Sequence, residues 1–158
     1  DFHEGMAVRR LYESGTMGAY PNLRGKYGII KGFFDDILPR FVTTAHKDEK
    51  IAFLHADCDL EPSYRAVLEN LYPLVAVGGV VCFDEYHEMR RFAGVEGEHE
   101  KWPGATKAIN EYFTDRPETI EYYPETDKYY VVKLGPCANG CGLHVKRAGT
   151  LCFACAGF

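Results

Sequence analysis

Hydrophobic and polar positions follow two different periods along the chain, and each change of period predicts a boundary between a strand and a helix. The segment at 62–75 has the helical period, because its apolar residues recur every three or four positions. Short apolar or β-rich runs predict strands instead. The predicted elements, in chain order, are a strand at 26–32, a helix at 33–42, a strand at 50–56, a helix at 62–75, a strand at 78–86, a helix at 104–113, and strands at 119–125 and 128–134.

The order β-α-β-α-β-α-β-β predicts an α/β fold. Strands that alternate with helices usually lie parallel in one sheet, with helices packed over both faces. The last two strands have no helix between them, and a turn at 125–128 joins them. We therefore expect an antiparallel hairpin at an edge of the sheet. Pro39 is expected to interrupt the helix at 33–42.

Acidic residues follow two neighbouring strands of the predicted sheet. Asp57 and Asp59 come directly after the strand at 50–56, and Asp84 and Glu85 come at the end of the next strand. We expect the four carboxylates to converge, because ligands in such sheets bind beyond the carboxyl ends of the strands. Converging carboxylates repel each other unless a divalent cation such as Mg²⁺, Mn²⁺ or Ca²⁺ binds between them. Alternatively, these acids cap the following helix or face water.

The composition narrows the expected partners and compartment. The chain has 158 residues, enough for one domain, and its net charge of -5 gives a nucleic-acid partner no electrostatic support. No apolar run approaches the roughly 20 residues that a membrane span needs, and no signal peptide is visible. Without secretory signals, we expect the six cysteines to be reduced and the protein to be cytoplasmic.

Four cysteines crowd the end of the chain, at 135–158. Their spacing is C-x3-C, ten residues, then C-x2-C. Two close pairs of this kind are how zinc ribbons present four thiolates, so Cys137, Cys141, Cys152 and Cys155 are candidate ligands of Zn²⁺. Such a site would be structural, because four cysteines leave no open coordination position. The alternative is four free or disulfide-paired cysteines in a disordered end.

Three stretches of the chain resemble the macrocin O-methyltransferase (TylF-like) family. They are GFFDDILP at 32–39, LHADCDLEPSYRAVLENLYPLVAVGGVVCFDEY at 54–86 and WPGATKAINEYF at 102–113. The opening DFHEGM at 1–6 is also similar to a segment of that family. The resemblance, over residues 1–134, implies a Rossmann-like class I methyltransferase sheet. It also implies S-adenosylmethionine-dependent, Mg²⁺-assisted methylation of a hydroxyl on a sugar or a natural product.

The resemblance further implies roles for individual residues. The implied Mg²⁺ ligands are Asp57, Asp84 and Glu85. Asp57 or Asp59 would be the general base that takes the proton from the acceptor hydroxyl. Asp1 and His55 would bind the cofactor, with Asp1 near its ribose.

The sequence departs from the family pattern in two ways. Glu61 and Glu85 stand where the family has Tyr and Asp. The family's first strand and its glycine-containing cofactor loop would precede Asp1, so we expect a sheet truncated on its N-terminal side. The exposed edge of such a sheet favours a homodimer.

Two other functions stay open at this point. Nucleotide-sugar glycosyltransferases also use Asp-x-Asp after an apolar strand to hold a metal, although the second acid pair argues against this function. A non-catalytic scaffold for a zinc-binding tail is the other alternative. The missing cofactor loop favours the scaffold and would leave this chain inactive, whereas the four retained acids count against it.

Overall fold

A four-stranded mixed sheet lies at the centre of the described part of the chain. The structure is a computed structural model that describes residues 30–44, 49–87 and 102–157. The strands are β1 (Ile51–Ala56), β2 (Val75–Phe83), β3 (Glu121–Tyr123) and β4 (Lys128–Val132), in the spatial order β1-β2-β4-β3. β1 and β2 run parallel, whereas β4 is antiparallel to both of its neighbours. The predicted α/β class and the edge hairpin are therefore confirmed.

Three helices accompany the sheet: α1 (Phe34–Thr44), α2 (Glu61–Leu71) and α3 (Pro103–Phe113). Prolines stand in the first turns of α2 and α3, where a backbone N–H has no partner within the helix to lose. α1 and α3 both pack against α2. None of these helices is long and apolar enough to cross a membrane, and neither is any other in the described residues.

Pro39 lies inside α1 without ending it, contrary to the prediction. The backbone N–H that proline lacks would have bonded the carbonyl of Asp35, in the first turn, so the ladder loses a bond only near its start. The neighbouring Leu38 is buried in the core. Packing of this apolar side chain therefore outweighs the local cost of the proline.

The junction between α2 and β2 also differs from the prediction. The helix predicted at 62–75 ends at Leu71, and a 3₁₀ turn, Tyr72–Leu74, follows. Pro73 has no N–H with which to continue the α-helical ladder. β2 accordingly begins at Val75, three residues earlier than expected, and its pairing with β1 is irregular near that end.

The strand predicted at 26–32 falls mostly outside the described residues. Residues 30–32 are described and contain no strand. The described helices and strands all belong to one compact unit, Gly32–Phe158.

One face of the sheet forms the core. Val81 and Phe83 of β2 and Val131 of β4 are fully buried, and the alternation of side chains puts Cys82 and Tyr130 on the other, half-buried face. Burial of one such large apolar side chain stabilises the fold by about 1.5–3 kcal/mol. The largest fully buried side chains are Tyr64, Tyr72, Phe83, Leu68, Ile109, Val75, Val81 and Val131.

The cysteine-rich end forms a second, two-stranded sheet of β5 (Gly135–Pro136) and β6 (His144–Val145). It meets the main sheet at Gly78, which has a φ of 85°. A Cβ at Gly78 would lie 2.6 Å from the backbone oxygen of Lys146. The domain boundary predicted after residue 134 falls where one sheet gives way to the other, and it stays a prediction.

The contact at Gly78 makes a testable prediction. Gly78→Ala should lower the free energy of unfolding by about 3 kcal/mol, because the alanine is strained at this φ and its Cβ collides with the backbone of Lys146. Gly149→Ala is the matched control. It has a φ of 70° but meets nothing within 4 Å, so about 1–2 kcal/mol is expected. Urea denaturation of both variants measures the difference, and equal losses would contradict the close approach.

Candidate functional site

The ends of β1 and β2 bring four acidic residues, Asp57, Asp59, Asp84 and Glu85, to one edge of the sheet, which we call the acid edge. Ala56 pairs with Phe83 in parallel register, so the residues that follow each strand start at the same level. The backbone N–H of Asp84 donates to the carbonyl of Ala56 over 2.9 Å, which extends the alignment by one step. Parallel pairing thus sets the acids after β1 beside the acids after β2.

Glu85 is the buried anchor of this edge, with only 4% of its surface exposed. Its Oε2 accepts backbone N–H bonds from Cys58 at 3.1 Å and from Asp59 at 3.2 Å. The hydroxyl of Tyr64 lies 2.6 Å from the same oxygen and 2.8 Å from the carbonyl of Ala56. A buried carboxylate is stable when donors of this kind satisfy it. Glu85 therefore fixes the turn between β1 and α2.

That turn carries Asp59 in the left-handed backbone region, with a φ of 58°. Aspartate tolerates this region better than most residues, since its short side chain can hydrogen-bond locally. Asp57, Asp59 and Glu85 each offer one carboxylate oxygen, and these three oxygens lie within 4.8 Å of one another. Asp57 and Asp59 are exposed, so the group opens to solvent. We call these three residues the acid cluster.

The acid cluster changes the protonation of its members and neighbours. Partial burial raises the pKa of Asp57, and the hydrogen bond and negative charge of Glu85 raise it further. Burial raises the pKa of the Cys58 thiol to about 12, with the charge of Glu85 as the next cause. Cys58 is therefore a neutral thiol at physiological pH.

Asp84 lies at the same edge but outside the acid cluster. Its carboxylate forms an ion pair with Lys128 over 2.6 Å, and the Nε2 atom of His55 lies 3.3 Å from the same oxygen. The hydrogen bond from Lys128 is the main cause that lowers the pKa of Asp84. The structure thus groups the predicted metal ligands Asp57 and Glu85 with Asp59. The third predicted ligand, Asp84, contacts Lys128 and His55 instead.

Of the two predicted cofactor-binding residues, only His55 lies in the described part of the chain. His55 lies at the acid edge with 48% of its side chain exposed and contacts Asp84. Asp1 lies outside the described residues. Their roles stay predictions.

Two residues of the edge were not anticipated from the sequence as parts of the site. Tyr64 has the spacing of a core residue of α2, and the apolar period gives no sign of its hydroxyl contact with Glu85. Lys128 begins β4, and it reaches Asp84 because Tyr129 pairs with Phe83. The strand order and register that produce this contact cannot be predicted from a single sequence.

A pocket of about 390 Å³ adjoins the acid edge, between the starts of α1 and α2. Three exposed apolar side chains, Phe33, Phe34 and Leu60, lie along it. Leu60 directly follows Asp59, so the pocket is next to the acid cluster in the chain. Among the described residues, its lining is Gly32, Phe33, Phe34, Asp35, Asp36, Leu60, Pro62 and Ser63.

Three solved structures, all described as methyltransferases, are similar to this chain. A structure of CalS11, a calicheamicin methyltransferase, is 22% identical with a TM-score of 0.58, covering 82% of this chain and 48% of that chain. An apo structure of CalS11, described as a TDP-rhamnose 3'-O-methyltransferase of calicheamicin biosynthesis, is 24% identical with a TM-score of 0.50, covering 65% and 39%. The O-methyltransferase NovP is 24% identical with a TM-score of 0.49, covering 84% and 53%.

The likeness to the two CalS11 structures establishes the fold. The chain spans about two fifths to half of the length of the three structures. No curated protein matches the chain significantly. The family model of macrocin-O-methyltransferase (TylF) matches residues 16–111, a range that includes the whole acid edge except Lys128 and stops before the cysteine-rich end. Because this match covers more than half of the chain, the protein belongs to the macrocin-O-methyltransferase (TylF) family.

Proposed function

We propose that this chain belongs to an S-adenosylmethionine-dependent O-methyltransferase that methylates a hydroxyl of a sugar or a sugar-bearing natural product. The observation that carries the proposal is the acid cluster, which lies at the carboxyl ends of two parallel strands within the range of the family match. A divalent cation, Mg²⁺ in the first place, would bind at this edge. The description of CalS11 as a TDP-rhamnose methyltransferase supports a sugar as the acceptor.

The donor set fits a hard divalent cation. The acid cluster presents oxygen ligands only, which suit Mg²⁺ rather than a soft metal. Partial burial is the main cause of the raised pKa of Asp57, and the hydrogen bond and negative charge of Glu85 add to it. The Oε2 atom of Glu85 accepts from all three of its donors. The exposed carboxylates of Asp57 and Asp59 lie beside Glu85 in the acid cluster. A cation at this position would offset the mutual repulsion of the three groups.

Asp57, Glu85 and Asp84 are the residues that we propose as metal ligands. Asp59 belongs to the same cluster and can complete the set, whereas Asp84 is held in the ion pair with Lys128. Asp84 would bind the cation only after its ion pair with Lys128 breaks. The cation, when bound, would polarise the acceptor hydroxyl and lower its pKa.

The same edge fits the charge of the proposed cofactor. S-adenosylmethionine carries a positive sulfonium, and an edge with several carboxylates attracts it. When bound, it supplies the electrophilic methyl group. His55 and the proposed ribose contact Asp1 would help to hold it, with His55 at the exposed side of the edge.

The chain's own residues would supply positioning and proton transfer. Without a bound cation, Asp57 is exposed and has a raised pKa, so it is a better proton acceptor than an ordinary aspartate, and a cation that it binds would lower this pKa again. Asp59, beside it, is the second candidate for this general base. Glu85 and Tyr64 hold the turn that carries both aspartates, which keeps the accepting oxygen in place.

The first prediction from this proposed function concerns the stability of the chain without any bound metal. The folded-state pKa of Asp57 is raised, so its contribution to the free energy of unfolding falls as the pH rises from the ordinary value of 3.8 through the folded value. In a chelating buffer, Asp57→Asn should therefore be more stable than the wild type at pH 7, and the advantage should vanish below pH 3.8. Urea denaturation at both pH values measures it.

Asp115→Asn, at an exposed acid outside the cluster, is the control and should not produce this pH dependence. Adding Mg²⁺ should reverse the order at pH 7. At 100 times the dissociation constant, binding stabilises the wild type by about 2.7 kcal/mol, and the variant should gain much less. A variant that is less stable than the wild type in chelator would contradict the repulsion.

The second prediction concerns Lys128. Removing its positive charge in Lys128→Met should tighten Mg²⁺ binding by about tenfold, because it frees Asp84 and removes a cation from the edge. Calorimetric titration at low ionic strength measures the affinity. Lys107→Met is the matched control, since Lys107 pairs with Glu61 on the surface of α2. An unchanged or weaker affinity in Lys128→Met would place the cation away from Asp84.

The third prediction tests the reaction class. S-adenosylhomocysteine should bind the chain, or the same chain extended upstream, with micromolar affinity, and a nucleoside diphosphate alone should not. In the form that binds, Asp57→Asn should lower the rate of methyl transfer to TDP-rhamnose or a related sugar at least about 100-fold, as loss of a general base does. Asp115→Asn should keep the wild-type rate.

Preference for the nucleoside diphosphate would favour the glycosyltransferase alternative. Absence of cofactor binding in a folded, extended chain would favour the non-catalytic scaffold.

A further inference from the structure

Four cysteine thiols converge at the C-terminal end of the chain, outside the range of the family match. Cys137 and Cys141 come from one turn, and Cys152 and Cys155 come from another. Their four Sγ atoms all lie within 4.8 Å of one another. We propose that these four thiolates bind one structural zinc ion, and that this ion holds residues 135–157 in their fold.

The sulfur positions match a tetrahedral metal site. A Zn–S bond of about 2.3 Å sets the sulfur atoms of a tetrahedron about 3.8 Å apart. The Sγ atoms of Cys141 and Cys152 are 3.4 Å apart, and all the pairs fall within the 4.8 Å limit. A disulfide requires about 2.05 Å, and all four cysteines are free. The spacing thus suits four ligands around one centre.

The backbone around each cysteine pair forms a tight turn. The N–H of Gly140 donates to the carbonyl of Cys137, and the N–H of Cys155 donates to the carbonyl of Cys152. A glycine with positive φ follows each turn, Gly142 at 81° and Gly157 at 80°. Glycine adopts this conformation without strain, so it lets the chain turn away one residue after Cys141 and two residues after Cys155.

A sulfur atom also receives a backbone hydrogen bond across the two turns. The N–H of Cys152 donates to the Sγ of Cys137 over 3.2 Å. Donation of this kind stabilises negative charge on the sulfur, which is the state that binds a metal. The turn of one pair therefore supports a ligand of the other pair.

The core of this segment is too small to fold it without a crosslink. Its cluster of buried hydrophobic residues is Cys137, Val145 and Cys152, with Cys155 packed against them. Val145 is the only buried aliphatic side chain among them, and β5 and β6 have two residues each. Segments of this size normally need disulfides or a metal to fold. A shared metal ion supplies the energy that the core lacks.

The proposed zinc site lies away from the acid cluster. β4 runs antiparallel to β2, so the segment that follows β4 returns to the beginning of β2, where Lys133 pairs with Gly78 and Gly79. The acid cluster follows the opposite end of β2. Four thiolates also leave no coordination position for a substrate. The site is therefore structural and independent of the proposed methyl transfer.

The test uses the full chain, purified under reducing conditions, with its metal content measured by mass spectrometry. We expect about one zinc per chain. Cys141→Ser combined with Cys155→Ser removes one ligand from each turn and should reduce the zinc content to near zero. Cys82→Ser, in β2, is the matched control and should keep about one zinc, as should Glu85→Gln in the acid cluster.

Cobalt substitution of the wild type provides a readout that does not depend on a variant. Co²⁺ should give the intense sulfur-to-cobalt absorption of a tetrahedral thiolate site, and Zn²⁺ should displace it. Addition of a chelator should make trypsin cleave at Lys146 and Arg147, while the main sheet stays resistant.

Four results would overturn the proposal. One is a reduced chain that binds neither zinc nor cobalt. Another is a zinc content that the double cysteine variant leaves unchanged. The third is iron as the only metal, and the fourth is disulfides among these cysteines in the chain as purified under reducing conditions.

Discussion

The convergence of three donors on Oε2 of Glu85 is the contact on which the acid edge depends. A buried carboxylate is costly unless donors surround it, and here backbone N–H groups of Cys58 and Asp59 supply two of them. The hydroxyl of Tyr64 is within reach of both Glu85 and the Ala56 carbonyl, and its one proton serves one acceptor at a time. A single side chain after β2 thereby ties together the end of β1, the turn and the start of α2.

The replacement of an expected Asp by Glu at position 85 has a physical reading in this arrangement. A glutamate is one methylene longer and so reaches the backbone of the β1–α2 turn, which belongs to the neighbouring strand. Burial is the main cause that raises the pKa values of Asp57 and Cys58, and the same reach brings the charge of Glu85 close enough to raise both further. The anchor of the turn and the source of negative charge in the site are therefore the same group.

Much of this arrangement was predictable from the sequence, because it follows from local periodicity. The strand, helix and hairpin order came from apolar spacing, and the meeting of the acids came from the rule that parallel strands end at one edge. The four cysteines were legible for the same reason, since their short spacings already define two turns. Two details were not predicted. Leu38 packs into the core and carries α1 past Pro39, which local propensity does not indicate. Pro73 ends α2 early through its missing N–H, although the apolar spacing continues to Val75.

The pairing between Lys128 and Asp84 gives the hairpin of β3 and β4 a second role. Lys128 stands 44 residues after its partner, and it reaches the acid edge only through the register of β4 against β2. A slip of one residue in that register would turn its side chain to the opposite face of the sheet. The electrostatic balance of the acid edge is thus encoded in strand alignment. Substitutions in the hairpin, far along the chain, would change the charge that this edge presents without altering any of its acids.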